Sequence, residues 1–379
     1  GPAPEITHAL IAAVSVLIIA CPCAMGLAVP MSIMVGTGRA AELGVLFAKG
    51  DALQRLEDLS LVAFDKTGTL SEGKPRIASI AVANDTTEDE ALTLAASAES
   101  QSEHPIAEAF MAAAQHLPLK TVSEVTAQVG HGLSAEIDGQ QISIGSLAYA
   151  QEQSLDLSPF ENDIDTALGL GQTPVFLAVE SKPVALFALE DQLKPEARDI
   201  IRQLTAKGIQ TALISGDRPE AAQHVANQTG IERAMGGVLP SEKAHAVENL
   251  QTEFGTVAFV GDGINDAPAL SQADVGLAMG NGTDVAMESA DIVLTNGHLE
   301  GLLGAQDLSK ATMRNIRENL FWAFGYNILL IPVAAGVFYP WFGWQLSPML
   351  GAAAMALSSI FVVMNALRLR NVSPKGTTT

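Results

Sequence analysis

DKTGTL, residues 65–70, decides how the chain folds and what it can do. Immediately upstream, LSLVAF (59–64) is a short unbroken apolar run, the pattern of a strand buried on both faces of a parallel sheet. Asp65 therefore ends a strand, and in open α/β sheets the carboxyl ends of strands are where ligands bind. Thr67, Gly68 and Thr69 add hydroxyls, a permissive backbone and free amides for oxyanions. An aspartate of ordinary pKa, about 3.9, is ionised at neutral pH. Asp65 is thus expected to attack phosphorus as a carboxylate, with no base needed to activate it. Asp-Lys-Thr-Gly alone reads equally well as a turn after a strand; the hexapeptide joined to its strand is far more specific.

Two more strand ends lead into polar turns. IQTALI (209–214) precedes Ser215, Gly216 and Asp217, and TVAFV (256–260) precedes GDGINDAPAL, which begins at Gly261. Asp262 and Asp266 bring further carboxylates to a neighbouring strand end, and clustered Asp oxygens beside a phosphate site are a usual way to hold Mg²⁺. Ser215 and Lys243 offer a hydroxyl and a cation to a transferring phosphoryl group, whose charge spreads over three oxygens. A lone lysine is most often a solvated surface residue; the place of Lys243 in LPSEK, between the second and third strands, favours the site. Residues 50–310 alternate strand-like and helix-like runs, as an α/β domain does. An insert at 74–187, with short strands of its own (175–179, 184–189) and a helical stretch (88–98), is too long for a loop and reads as a second domain.

The 379 residues are long enough for two or three folding units. A net charge of -21 with only 17% charged and 48% hydrophobic residues, and a mean hydropathy of +0.26, points to acidic soluble parts joined to apolar membrane segments. No Lys/Arg-rich patch stands out, which argues against a nucleic-acid partner. Three apolar segments, at about 6–35, 320–338 and 346–367, are long enough to cross a hydrocarbon core, which needs roughly 20 helical residues. Arg39 and Lys49 follow the first, Arg314 and Arg317 precede the second, Arg368 and Arg370 end the third, and the link 339–347 has neither Lys nor Arg. The positive-inside rule then places the large middle region and the C-terminus in the cytoplasm. The N-terminal apolar run is too long for a cleavable signal peptide.

Both cysteines, Cys21 and Cys23, lie inside the first apolar segment with Pro22 between them. They are not the disulfide framework of a secreted domain. Buried cysteines ordinarily fill a core. Here Pro22 removes a backbone donor and opens the helix, leaving carbonyls and two sulfurs at bilayer depth, and soft thiolates select Cu(I) while competing for Zn²⁺ or Cd²⁺. Tyr326 and Asn327 lie in the second segment; Met355, Ser358 and Ser359 lie in the third, with Met355 and Ser359 on one helix face. Polar groups in spanning helices are costly and usually functional, although Asn and Ser also glue helices together.

Taken in order, the Asp65, Ser215, Lys243 and GDGIND stations resemble the haloacid-dehalogenase-like core of P-type ATPases, whose aspartate becomes an aspartyl-phosphate. The resemblance implies an α/β phosphorylation domain (50–73 and 188–310), an inserted α+β nucleotide-binding domain (74–187) and three transmembrane helices, within 1–49 and 311–370, before a tail at 371–379. It implies Asp65, Lys243, Ser215 and Asp266 as catalytic residues and Asp65, Thr67 and Asp262 as the Mg²⁺ set. Thr67 replaces the second aspartate that related phosphatases use as acid/base, which favours a pump over a phosphatase. Ser215 departs from the threonine usual in the pumps but keeps the hydroxyl.

The insert resembles the nucleotide-binding domain of heavy-metal pumps. That likeness places His104 of SEHP on the adenine ring and Glu99 near its amino group, with Gly130, Gly132 and Gly145 where the backbone approaches ATP. No Walker-type phosphate loop is present. Cys21, Cys23, Tyr326, Asn327, Met355 and Ser359 resemble the copper(I) class; zinc and cadmium pumps place a charged residue in the later helices, and none is found here. The family's actuator domain, with a Thr-Gly-Glu loop, is missing, as are its earlier membrane helices, so the chain is expected to be the C-terminal part of a longer pump or to work with a second chain. The expectation is ATP-driven copper(I) export across a membrane, in bacteria the inner membrane, with a copper chaperone as a partner. A zinc or cadmium pump, a membrane-tethered phosphatase and a non-enzymatic copper-holding module are the rival readings.

Overall fold

The computed structural model describes residues 5–83, 85–102, 105–128 and 132–373. The chain forms two compact units: Gly1–Leu59 with Asp291–Thr379, and Ser60–Ala290.

The second unit holds two sheets. Its strands, in chain order, are β1 (Leu61–Phe64), β2 (Ser71–Val82), β3 (Val122–Gln128), β4 (Gly132–Ile137), β5 (Gln140–Ser146), β6 (Thr173–Val179), β7 (Lys182–Leu193), β8 (Gln210–Ile214), β9 (Arg233–Met235), β10 (Val257–Gly261) and β11 (Val275–Met279). Five of them run parallel in the order β11-β10-β1-β8-β9. The apolar runs that predicted buried strands do form them: β1 and β10 are buried at every position. Leu61, Ala63, Ala212, Ile214, Val257 and Phe259 pack with helix residues Val247, Leu250 and Leu270. Strands β9 and β11 are too short or too ordinary in composition to have been named in advance.

The other sheet is antiparallel, in the order β2-β7-β6-β5-β4-β3. The helix Glu88–Glu99 covers it, started by a capping box in which Thr87 and Glu90 satisfy each other's backbone amides. Its Ala91, Leu92 and Ala95 share a core with Phe110 and Phe187, whose rings meet edge to face at 4.8 Å. β2 begins directly after the DKTGTL loop and pairs back onto β7. The insert boundaries expected at 74 and 187 therefore fall inside continuous strands.

The first unit is built on four helices: α1 (Glu5–Ile19), α2 (Cys23–Glu42), α3 (Glu300–Ala334) and α4 (Pro348–Leu367). A short antiparallel pair, Val45–Phe47 with Ile292–Leu294, and a two-bond ion pair between Arg317 and Glu57 complete it. The helix expected across 6–35 is interrupted before Cys23, because Pro22 has no N–H to continue the ladder. Along α2, Ala24, Ala28, Ser32, Gly36 and Ala40 are buried, a stripe of small residues at four-residue spacing that permits close helix packing. Among the described residues two candidate spans, rather than three, are long and apolar enough to cross a membrane: Glu5–Glu42 and Pro348–Asn371. Of the segment expected at 320–338, residues 320–334 are the distal part of the 35-residue α3, which ends at Ala334. Tyr326 and Asn327 dilute its apolar run, and Arg314, Arg317, Glu318 and Asn319 lie just before it.

Candidate active site and cation path

Asp65 follows β1, with its backbone N–H donating to Val260 O at 2.9 Å across to β10. The loop 66–70 turns sharply through Gly68, at φ +69°. A side chain on Gly68 would overlap the Asp262 carboxylate, so this glycine is required by backbone conformation and by close approach together. Lys243 opens the helix Lys243–Phe254. Its Nζ donates to Asp65 Oδ1 and to Asp266 Oδ1, each at 2.6 Å. The second oxygen of Asp266 accepts from the backbone N–H groups of Asp262 (3.2 Å) and Gly263 (3.1 Å). Asp65, Asp262 and Asp266 each present a carboxylate oxygen within 4.8 Å of the others. Lys243 and the three aspartates, spread over nearly the full length of this unit, are thus one cluster.

Ser215 immediately follows β8, which pairs with β1. It is buried, and its Oγ accepts from the Asp217 N–H at 3.2 Å. Thr69 Oγ1 is buried with no hydrogen-bond partner among the described residues, an unmet bonding capacity beside Asp65 in the sequence. Thr67 is the exposed residue of the loop.

Burial raises Asp65 to about 7, with Asp266 and Asp262 adding to the rise and Lys243 opposing it. Asp262 is raised to about 6, again by burial first and then by Asp266. For Lys243, burial acts downward, but the carboxylates of Asp65 and Asp266 overcome it and the net shift is upward. The expectation of an Asp65 ionised at its ordinary pKa is corrected: three carboxylates and one amine leave an excess of buried negative charge. That excess is what a divalent cation would neutralise, so the donor set fits Mg²⁺.

Several supporting residues were not visible in the sequence. Lys66 pairs with Asp217, joining the loop after β1 to the turn after β8. Ser71 Oγ donates to the Asp191 carboxylate while accepting from the Gly68 N–H at 3.2 Å. Lys194 Nζ donates to Gly68 O at 3.2 Å. Ser71 ends the same loop, and Asp191 and Lys194 come from far along the chain; only the pairing of β2 with β7 brings them together, and no local motif announces them.

In the antiparallel sheet, Gly132 and Gly145 face each other across β4 and β5. A Cβ on Gly132 would lie 2.6 Å from Tyr149 Cδ1 and 2.7 Å from Gly145 Cα. Packing within the sheet therefore already demands a glycine there, whatever it binds. Glu99 is buried at the last turn of Glu88–Glu99. His104 and Gly130 lie outside the described residues.

In the other unit, the Tyr326 hydroxyl donates to Met355 Sδ at 3.4 Å, and Ser359 Oγ donates to Met355 O at 3.3 Å. Asn327 Oδ1 is buried without a hydrogen-bond partner among the described residues. Ala24, beside Cys23, packs with Ala323 of α3 and Val362 of α4, so the helices carrying the expected ligands meet at this level. The Cys21 and Cys23 sulfurs are joined as a disulfide. Cation binding by the pair belongs to its reduced form.

A haloacid dehalogenase-like hydrolase model matches residues 59–274. "Copper-transporting ATPase 2" of Rhizobium meliloti (strain 1021) is 50% identical over 99% of this chain and 46% of its own length. Among solved structures, a zinc-transporting PIB-type ATPase in its E2.Pi state superposes with a TM-score of 0.80 and 37% identity, covering 93% of this chain and 57% of that one. The catalytic domain of the CPx-ATPase CopB-B, solved for its conformational changes upon nucleotide binding, gives a TM-score of 0.60 at 26% identity over 71% of this chain and 98% of that one. The chain spans about half the length of the curated relatives it matches. With the aspartate cluster at the strand ends of a parallel sheet, these matches show that the chain belongs to the haloacid dehalogenase-like hydrolase family and is similar to P-type ATPases along nearly its whole length.

Proposed function

We propose that this chain is the catalytic and cation-gating part of a copper(I)-exporting P-type ATPase, embedded in a membrane and energised by ATP. The observation that carries the reading is Lys243 Nζ bridging Asp65 and Asp266 at 2.6 Å, with Asp262 in the same cluster. Asp65 attacks the γ-phosphorus of ATP; a carboxylate O–P bond forms, the bond from that phosphorus to the bridging oxygen breaks, and ADP leaves with the electron pair. Lys243, Ser215 and Thr69 hold the phosphoryl oxygens as charge redistributes. Asp266 holds Lys243 in place. Asp65, Asp262 and Thr67 would hold Mg²⁺, which when bound screens repulsion between the carboxylate and the phosphates. Gly132, Gly145 and Glu99, with His104 and Gly130, form the nucleotide face in this reading.

Reduced Cys21 and Cys23, with Tyr326, Asn327, Met355 and Ser359, form the copper path. Two observations support a soft cation: the Tyr326 hydroxyl already meets the Met355 thioether, and the distal part of α3 and the length of α4 carry no charged side chain to suit Zn²⁺. Delivery by a copper chaperone and residence in a bacterial inner membrane belong to the same proposal.

The test is labelling with γ-phosphate-labelled ATP and Mg²⁺, with and without Cu(I), under reducing conditions. The expected product is an acid-stable, hydroxylamine-sensitive label stimulated by Cu(I) and abolished by Asp65→Asn. Label surviving in Asp65→Asn refutes the mechanism, and stimulation by Zn²⁺ or Cd²⁺ in preference to Cu(I) transfers the chain to the other metal class.

A further inference from the structure

Ser32 on α2, Asn315 and Asn319 on α3, and Asn365 on α4 are all buried, with Ser32 and Asn319 at 0% exposure. They are hydrogen-bonded to one another across the three helices. Asn319 Nδ2 donates to Ser32 Oγ at 3.2 Å, and Asn315 Oδ1 accepts from the Ser32 hydroxyl at 2.9 Å. Asn315 Nδ2 donates to the Asn365 backbone carbonyl at 2.9 Å. Asn365 Nδ2 donates to Asn319 Oδ1 at 2.9 Å, and Asn365 Oδ1 in turn accepts from Arg368 Nη1 at 2.9 Å.

Every side-chain amide oxygen in this cluster already accepts a hydrogen bond. These oxygens are therefore engaged within the protein, and amide oxygens are hard donors poorly matched to a soft cation. The cluster does something else. Hydrogen bonds tolerate only a few tenths of an ångström, whereas slipping a helix by one residue moves it about 1.5 Å. A slip would strand buried amides without partners, which is costly. By contrast, the Tyr326 to Met355 contact, 3.4 Å from oxygen to sulfur, is too weak to hold two helices in register. Tyr326 lies about two turns beyond Asn319 on the same face of α3.

We propose that Ser32, Asn315, Asn319 and Asn365 are positioning residues. They fix the register of α2, α3 and α4, and through it hold Tyr326 and Met355 in the arrangement that receives the cation. The functional half of this proposal rests on the copper reading above; the register half does not.

Two measurements on the full chain in detergent test it. The first is Cu(I) affinity under reducing conditions, by competition with a chromophoric Cu(I) chelator. The second, in a Cys21→Ser, Cys23→Ser background carrying Tyr326→Cys and Met355→Cys, is joining of the two introduced thiols by a short bifunctional reagent. Asn319→Leu is expected to lower Cu(I) affinity roughly tenfold at unchanged stoichiometry, a scale set by one stranded buried amide, and to suppress the cross-link. Thr312→Val is the control: Thr312 of α3 is buried against Gly36 of α2, but its hydroxyl has no hydrogen-bond partner among the described residues, so neither readout should move. If Asn319→Leu does not purify folded, Ser32→Ala, which removes one hydroxyl, carries the same comparison. A lower melting temperature with affinity and cross-link both intact would make the cluster mere helix glue and overturn the proposal. If the unsubstituted chain binds no Cu(I), the copper reading falls, while the cross-link still decides whether the cluster sets the register.

Discussion

Gly68 and the Asp262 carboxylate occupy adjoining space: the glycine takes φ +69°, and any Cβ built on it overlaps that carboxylate. The loop that presents Asp65 is therefore closed by an aspartate from another strand end.

Gly68→Ala should accordingly cost more than local strain. The left-handed backbone alone costs roughly 1–3 kcal/mol in a non-glycine residue, and Asp262 must also move. Phosphate labelling of Asp65 is expected to fall about 100-fold or more, on the scale of losing one transition-state contact. The melting temperature should drop by only a few degrees, so a protein that labels normally would contradict the geometry.

Lys243→Met tests the buried pair. Removing one partner of a buried ion pair costs about 3–5 kcal/mol when the other charge is stranded. Asp65 can escape that penalty by taking a proton, so the loss should be larger at pH 8 than at pH 5. Urea unfolding at the two pH values measures the difference.

The unsubstituted chain should itself lose stability with rising pH in the absence of divalent cations. Asp65 is raised from 3.8 to about 7 in the folded state. Between those values the folded chain binds more protons than the unfolded one. Stability is thus fully present below the lower value and is lost as pH rises through the upper, at up to about 1.4 kcal/mol per pH unit. Asp262, raised to about 6, adds in the same direction. Asp65→Asn should flatten the profile, and Mg²⁺ should restore stability at pH 8; a profile rising with pH over this window would contradict the assignment.

Gly132→Ala should destabilise the antiparallel sheet before it affects nucleotide. Its Cβ would press on Tyr149 and on the Gly145 backbone, and overpacking of this kind costs about 1–3 kcal/mol. The expected result is a lower melting temperature without ATP as well as with it. An unchanged melting temperature with lost ATP binding would assign the glycine to the ligand alone.

Met355→Leu keeps volume and removes the thioether, while Tyr326→Phe removes only its hydrogen-bond donor. If the path favours soft cations, the first should raise the Cu(I) concentration needed for half-maximal labelling about tenfold, equivalent to roughly 1.4 kcal/mol, and the second by less. Labelling as a function of buffered Cu(I) separates the two.

The sequence by itself determined the strand before Asp65, the carboxylates that gather beside it, the separate strands of the insert and the break at Pro22, because each is announced locally: an apolar run, a short motif, alternating apolar runs, a missing N–H. It also placed Met355 and Ser359 on one helix face, which periodicity alone dictates. The structure decided what depends on residues far apart in the chain. Asp65 is raised by burial beside Asp262 and Asp266, Asp191 and Lys194 reach the nucleophile loop through the β2 to β7 pairing, and Gly132 is fixed by Tyr149. The second apolar segment proved to lie largely in a longer, more polar helix, and Ser32, Asn315, Asn319 and Asn365 became one network only when three helices packed together. Burial, cross-strand register and helix register are properties of the folded chain, and no window of sequence contains them.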